Sequence, residues 1–144
     1  MRGEIWKLIC KVHSSKSQYS SDVYHKFLKE VHPQLDNKIQ KDIHRTIPGN
    51  LEFSQKAASG ENRLYNILKA YTSYDPEIGY CQGMNFIAML LLSNIPNEED
   101  AFWALVYVMF EKGWREIFNQ NSNKIECVLR DIELYIQETW PKLY

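Results

Sequence analysis

Apolar residues return along this chain every three to four positions, and that spacing restricts it to helices. Leu64, Ile67, Leu68 and Tyr71 fall at i, i+3, i+4 and i+7, one face of a helix. Ile5, Leu8, Ile9 and Val12 mark an earlier amphipathic segment. Val23, Phe27, Leu28 and Val31 mark the next, opened by Ser20 or Ser21 as N-cap and ended near Pro33. Leu35, Ile39 and Ile43 carry a third, with Asp36 as candidate cap and Pro48-Gly49 as its stop. No run alternates cleanly at period two, which argues against a sheet. The expectation is an all-α fold, an irregular bundle of roughly six to eight helices.

The second half continues the pattern. After the Tyr74-Asp75-Pro76 turn, the stretch from Gly83 to Leu92 is apolar on every side and is expected to be the central core helix. Asn97 with Asp100 three residues later resembles a capping box for a helix through Phe102, Leu105, Val106 and Met109 to Gly113. A last helix is expected from Ile125, Val128, Leu129, Ile132 and Ile136, closing before Pro141.

With 144 residues, 44% of them apolar, the chain supplies one sizeable core, so a single domain over residues 1–144 is expected. A formal net charge of −1 gives no general attraction to nucleic acid or to an anionic membrane. Residues 1–50 carry nine Lys/Arg against five Asp/Glu, whereas residues 51–100 carry three against seven, so any cationic face belongs to the first third. Cys10, Cys81 and Cys127 form no CxxC pair, which speaks against a disulfide framework and a zinc site and fits a reducing, cytoplasmic setting. The longest apolar run, Phe86 to Leu92, is far below the ~20 residues that span a bilayer. A soluble chain without direct membrane insertion is expected.

Two features break the apolar pattern. On a wheel at roughly 100° per residue, Asp42 falls inside the stripe of Leu35, Ile39, Ile43 and Thr46. A carboxylate taken out of water needs donors, and Arg45, three residues on, can reach it. Taken from this helix alone, an ordinary local ion pair in its last turn is the simpler account of the pair. Lys38 and Lys41 lie on the same side of the wheel as Arg45 and form a cationic ridge or a plain solvated face. The second break is GYCQGMNF, Gly79 to Phe86, where Gln82 stands between two glycines at the mouth of an apolar helix. Gln82 could also serve as a capping partner, with the glycines merely forming the loop.

An arginine and a glutamine share one chemistry that needs neither to titrate. In GTP hydrolysis a glutamine orients the attacking water and an arginine from an activating protein neutralises the charge developing on the phosphates. The chain has no GxxxxGK[ST] phosphate loop, so the nucleotide would have to arrive on a partner.

Five segments then carry a resemblance over essentially the whole chain. IQKDIHRTIP, Ile39 to Pro48, fits IxxDxxRTxP; GYCQGMNF contains YxQGM; RGEIW, Arg2 to Trp6, fits RxxxW; LYNILKAY, Leu64 to Tyr71, and the closing PKLY join them. Together they resemble the TBC domain, the GTPase-activating domain for Rab-type small GTPases, and more specifically its N-terminal lobe. The resemblance implies that Arg45 is an arginine finger, that Gln82 is a glutamine finger and that Asp42 orients Arg45. It implies that Tyr80 and Gly83 shape the glutamine loop and that Arg2, Trp6 and Ile39 are scaffold positions. Lys38, Lys41 and Asn85 are expected to contact the partner. GTP and Mg²⁺ would belong to that partner, with no cofactor or metal of the chain's own. Family domains continue past a PxLY element into a second helical lobe, so a domain incomplete at its C-terminus is expected. Any association with endomembranes would come through the lipid-anchored partner.

The alternative is a non-catalytic helical module that binds a small GTPase or another protein. A self-contained hydrolase would need Cys81 with one of His13, His25, His32 or His44, and no nucleophile signature supports it. Cys81 is expected to be a small buried hydrophobe. The histidines show no paired ligand spacing.

Overall fold

The computed structural model describes residues 2–46 and 57–143. Among these there are nine helices and no strand: α1 (Arg2–Ile9), α2 (Val12–Lys16), α3 (Val23–Lys29), α4 (Pro33–Thr46), α5 (Ala57–Tyr74), α6 (Met84–Asn94), α7 (Glu98–Phe110), α8 (Arg115–Phe118) and α9 (Lys124–Thr139). The all-α expectation holds. Two of the nine, α2 and α8, are single turns of five and four residues, and the other seven answer to the six to eight foreseen. The Pro48-Gly49 stop lies outside the described residues.

The centre is the pair α5 and α7, with α3, α4 and α6 packed around α5, and α2 and α6 against α7. Leu64, Ile67, Leu68 and Tyr71 are all buried, as their spacing demands. Eight of the 13 residues of α7 are buried, from Ala101 to Tyr107 without a break and then Met109. This makes α7, rather than α6, the most enclosed helix. The expectation of α6 as the core helix is corrected on one side: Phe86 and Leu90 are 55% and 53% exposed, while Met84, Ala88, Leu91 and Leu92 face inward. An all-apolar sequence permits burial on every side; among the described residues, neighbours cover only one.

Several helix boundaries differ from expectation for identifiable reasons. Pro33 opens α4 at its first helical position, where the missing N–H costs nothing, so Asp36 lies inside the first turn instead of capping it. Asp22, not Ser20 or Ser21, occupies the cap position of α3, and the Ser20 hydroxyl donates to its carboxylate at 2.6 Å. At Asn97 the reading holds, since its side chain accepts the Asp100 N–H at 2.9 Å. The first segment is broken at Lys11, whose φ of 46° is left-handed, so Val12 turns into the core while Ile5, Leu8 and Ile9 stay exposed. The last helix closes before Pro141 as expected, but none of its residues is buried.

Candidate functional site

The site begins with the second half of α4. Ile39 and Ile43 are in the core, and Asp42 between them is only 7% exposed, as the helical wheel required. A carboxylate in that position is stable only with donors. It has two: a guanidinium nitrogen of Arg45 bonds Oδ1, and the Tyr80 hydroxyl donates to Oδ2 at 2.7 Å. Burial, and then the hydrogen bond to Asp42, push the Tyr80 phenol well above the usual tyrosine range, so it holds its proton and stays a donor. Arg45 itself is mostly in solvent, with its side chain 68% exposed. One end of the guanidinium is anchored and the rest points outward.

Tyr80 belongs to the loop between α5 and α6, and it brings that loop to α4. Gly79 (φ 61°) and Gly83 (φ 102°) both stand in the left-handed region, which only glycine enters without strain. Gly83 is the N-cap residue of α6 and has no side chain to cap with. Asn85 does that work from inside: its Oδ1 accepts the Gly83 N–H at 2.9 Å and lies 3.3 Å from the Tyr80 hydroxyl. Its Nδ2 donates to the Thr46 hydroxyl, which in turn donates to the Asp42 carbonyl at 2.5 Å. Asp42, Tyr80, Asn85 and Thr46 therefore form one polar network joining the end of α4 to the start of α6.

Two side chains emerge from this network into solvent, Arg45 and Gln82. Asp42, Arg45, Gln82, Asn85 and Phe86 line a single surface pocket of about 150 Å³. Residues 37 positions apart in the sequence are thus brought to one rim. Gln82 makes no capping bond among the described residues, and the Gly83 N–H is taken by Asn85. Lys38 and Lys41 are exposed along α4 beside this rim.

Other expected roles are redistributed. Asn85, expected to contact a partner, is 2% exposed with both ends of its amide engaged, so it holds the loop instead. Ile39 is fully buried and Trp6 packs against the core, as scaffold positions should, but Arg2 is exposed. Thr46 went unrecognised as a polar link; the only signal was its place four residues after Asp42 on the same helix face.

Cys81 is half-buried beside the site, and burial pushes its thiol above the ordinary cysteine value despite the opposing pull of Lys38. Its Sγ donates toward the Phe118 carbonyl at 3.5 Å. Burial of this kind disfavours the thiolate, the form that a cysteine nucleophile requires. No group of three or more His, Cys, Asp or Glu side chains arranged to hold a metal is found among the described residues.

The sequence pattern of the Rab-GTPase-TBC domain matches residues 1–144. The ecotropic viral integration site 5 protein homolog of Homo sapiens is 37% identical over 143 residues, covering 99% of this chain and 17% of that protein. The Rab GTPase-activating protein tbc-11 of Caenorhabditis elegans is 34% identical over 145 residues, covering 99% of this chain and 15% of that one. This chain therefore spans less than a fifth of the length of these curated relatives. Among solved structures, the flagellar RabGAP TBC domain of Chlamydomonas matches with a TM-score of 0.69 at 27% identity, over 76% of this chain and 38% of that chain. Sequence pattern, relatives and helical architecture agree: the chain belongs to the Rab-GTPase-TBC domain family.

Proposed function

We propose that this chain is a GTPase-activating domain acting on a Rab-type small GTPase, with Arg45 and Gln82 entering the partner's nucleotide site together. The observation that carries the proposal is their meeting at one pocket, each in solvent and each rising from the same buried network. In this reading the Arg45 guanidinium neutralises negative charge as it develops on the transferring phosphate, and the Gln82 carboxamide orients the attacking water. Asp42 holds the arginine in place from below, so less freedom is lost when it engages. Lys38 and Lys41 are the candidate contacts for the partner's surface. GTP and Mg²⁺ arrive with the GTPase. No described helix is long and apolar enough to cross a membrane, and membrane association would follow from the partner.

The test is GTP hydrolysis by a panel of Rab proteins, measured with this chain and with any longer natural form containing it. Arg45→Ala is expected to lower stimulation by about 10³-fold or more. Gln82→Ala should also lower it steeply, and Arg45→Lys should fail as well, because a lysine cannot reproduce the planar fork. Helical circular dichroism should be retained in all three. Absence of stimulation on every Rab, or full stimulation by both alanine variants, would leave a non-catalytic binding module as the better description.

A further inference from the structure

The single turn α8 contacts the segment that leads into and through the Gln82 loop. Asp75 lies just past the C-terminus of α5, where the helix dipole disfavours a carboxylate, and α5 has no basic residue in its last turn. Asp75 is nevertheless 4% exposed. Its donors come from elsewhere: the Tyr71 hydroxyl at 3.0 Å, and Arg115 of α8 through Nε at 2.8 Å and Nη2 at 3.0 Å. The same Nη2 reaches Glu77 at 2.5 Å. These bonds hold the Arg115 guanidinium above its ordinary pKa, the Asp75 hydrogen bond contributing most. The Gly79 N–H closes the turn onto the Asp75 carbonyl at 2.8 Å.

One helical turn further along, Phe118 meets the other end of the loop. Its carbonyl accepts from the Cys81 thiol, and its ring lies 3.5 Å from where a side chain on Gly83 would begin. Arg115 therefore grips the loop at Asp75 and Glu77, and Phe118 at Cys81 and Gly83, on either side of Gln82. No α8 residue lines the pocket shared by Arg45 and Gln82.

We infer that α8 is a rear brace for the glutamine loop and that Arg115 is a positioning residue for Gln82, an inference that rests on the activating role proposed for Gln82. Gln82 is exposed and makes no side-chain hydrogen bond among the described residues, so the loop backbone sets where its amide lies. The rigidity of that backbone comes from two directions: the Tyr80-Asn85 network on the α4 side, and the Arg115-Asp75 fork on the other.

The experiment pairs two readouts on Arg115→Ala, Arg115→Lys and Phe118→Ala. The first is amide hydrogen exchange, comparing residues 79–83 with α7. Removal of a two-pronged charged bond is expected to speed exchange in the loop by about 10-fold or more, with α7 unchanged. The second is stimulated GTP hydrolysis. A displaced glutamine is expected to lower kcat by about 10- to 100-fold while KM for the GTP-bound partner stays near wild type, since no residue lining the shared pocket is changed. Arg115→Lys should fall between wild type and Arg115→Ala. Unchanged exchange at residues 79–83, a loosened loop with unchanged kcat, or loosening of α7 to the same degree would each overturn the inference. Phe118→Ala supplies the same comparison if Arg115→Ala does not fold. If the wild-type chain stimulates no Rab, it is the activating function that fails, and the exchange data alone decide whether α8 braces the loop.

Discussion

Asp42 carries more of the site than either exposed finger candidate, because it is the buried acceptor on which two elements converge. Its position inside an apolar stripe was legible from the helical wheel, and so was its bond to Arg45, since both belong to one helix. The Tyr80 bond was not legible, because it exists only after the loop before α6 has been carried against α4. The same holds for Asn85 and Thr46, which are ordinary polar residues until the two helix ends approach each other. Their geometry leads to a prediction at Tyr80. Tyr80→Phe keeps the ring, which is 5% exposed, and deletes only the donor to Asp42. A hydrogen bond to a charged group is worth about 1.5–3 kcal/mol, so urea unfolding should show a loss of that order with the slope unchanged. A loss within about 0.5 kcal/mol would mean that water replaces the phenol and the network is looser than drawn.

At the scale of elements, periodicity placed the helices well and their exposed faces poorly. A run such as Met84 to Leu92 states that burial is possible on any side, and the topology decides which side finds a neighbour. Breaks were equally invisible where no glycine or proline marked them: Lys11 ends the first segment in a left-handed conformation that only tertiary packing repays. Glycines at the loop were better guides, since two of them around a glutamine announced an unusual backbone. Gly83→Ala tests that reading. The added Cβ would lie 3.5 Å from the Phe118 ring, an ordinary contact, so crowding is not the obstacle. The φ of 102° is, and moving out of it would pull the Gly83 N–H away from Asn85. The expected cost exceeds about 1 kcal/mol, and loop amide exchange should rise with it. If the alanine variant unfolds at the wild-type urea concentration, the left-handed turn is not required.

For the whole molecule, burial is concentrated around α5 and α7, and the acid-base behaviour follows it. Tyr24, Tyr71 and Tyr80 are all raised above the ordinary tyrosine range, by burial first and then by the neighbouring carboxylates of Glu98, Asp75 and Asp42 respectively. Below about pH 10 these tyrosines are protonated in both folded and unfolded chains and add no pH dependence. Above it the unfolded chain releases protons that the folded one keeps, so stability falls as pH rises. Phenolate absorbance should therefore appear in two steps, exposed tyrosines first and these three together with loss of the helical signal. Reversible ionisation of all tyrosines near pH 10 in a still-folded chain would contradict it.

The opposite extreme is α9, whose stripe of Ile125, Leu129, Ile132 and Tyr135 is 47–59% exposed and which packs chiefly against α8 among the described helices. An apolar face with little to lose on substitution should contribute to association more than to folding. Leu68, fully buried on α5, provides the contrast: Leu68→Ala should cost about 2–5 kcal/mol through lost contacts and a residual cavity. Leu129→Gln and Ile132→Gln keep helix propensity and should shift stability by no more than about 0.5 kcal/mol. Urea midpoints measure the first effect, and light scattering against concentration the second, where the glutamine variants should associate less than wild type. If Ile132→Gln destabilises the chain as much as Leu68→Ala, the α9 stripe is packed in solution, and a second apolar core exists beside the one formed by α5 and α7.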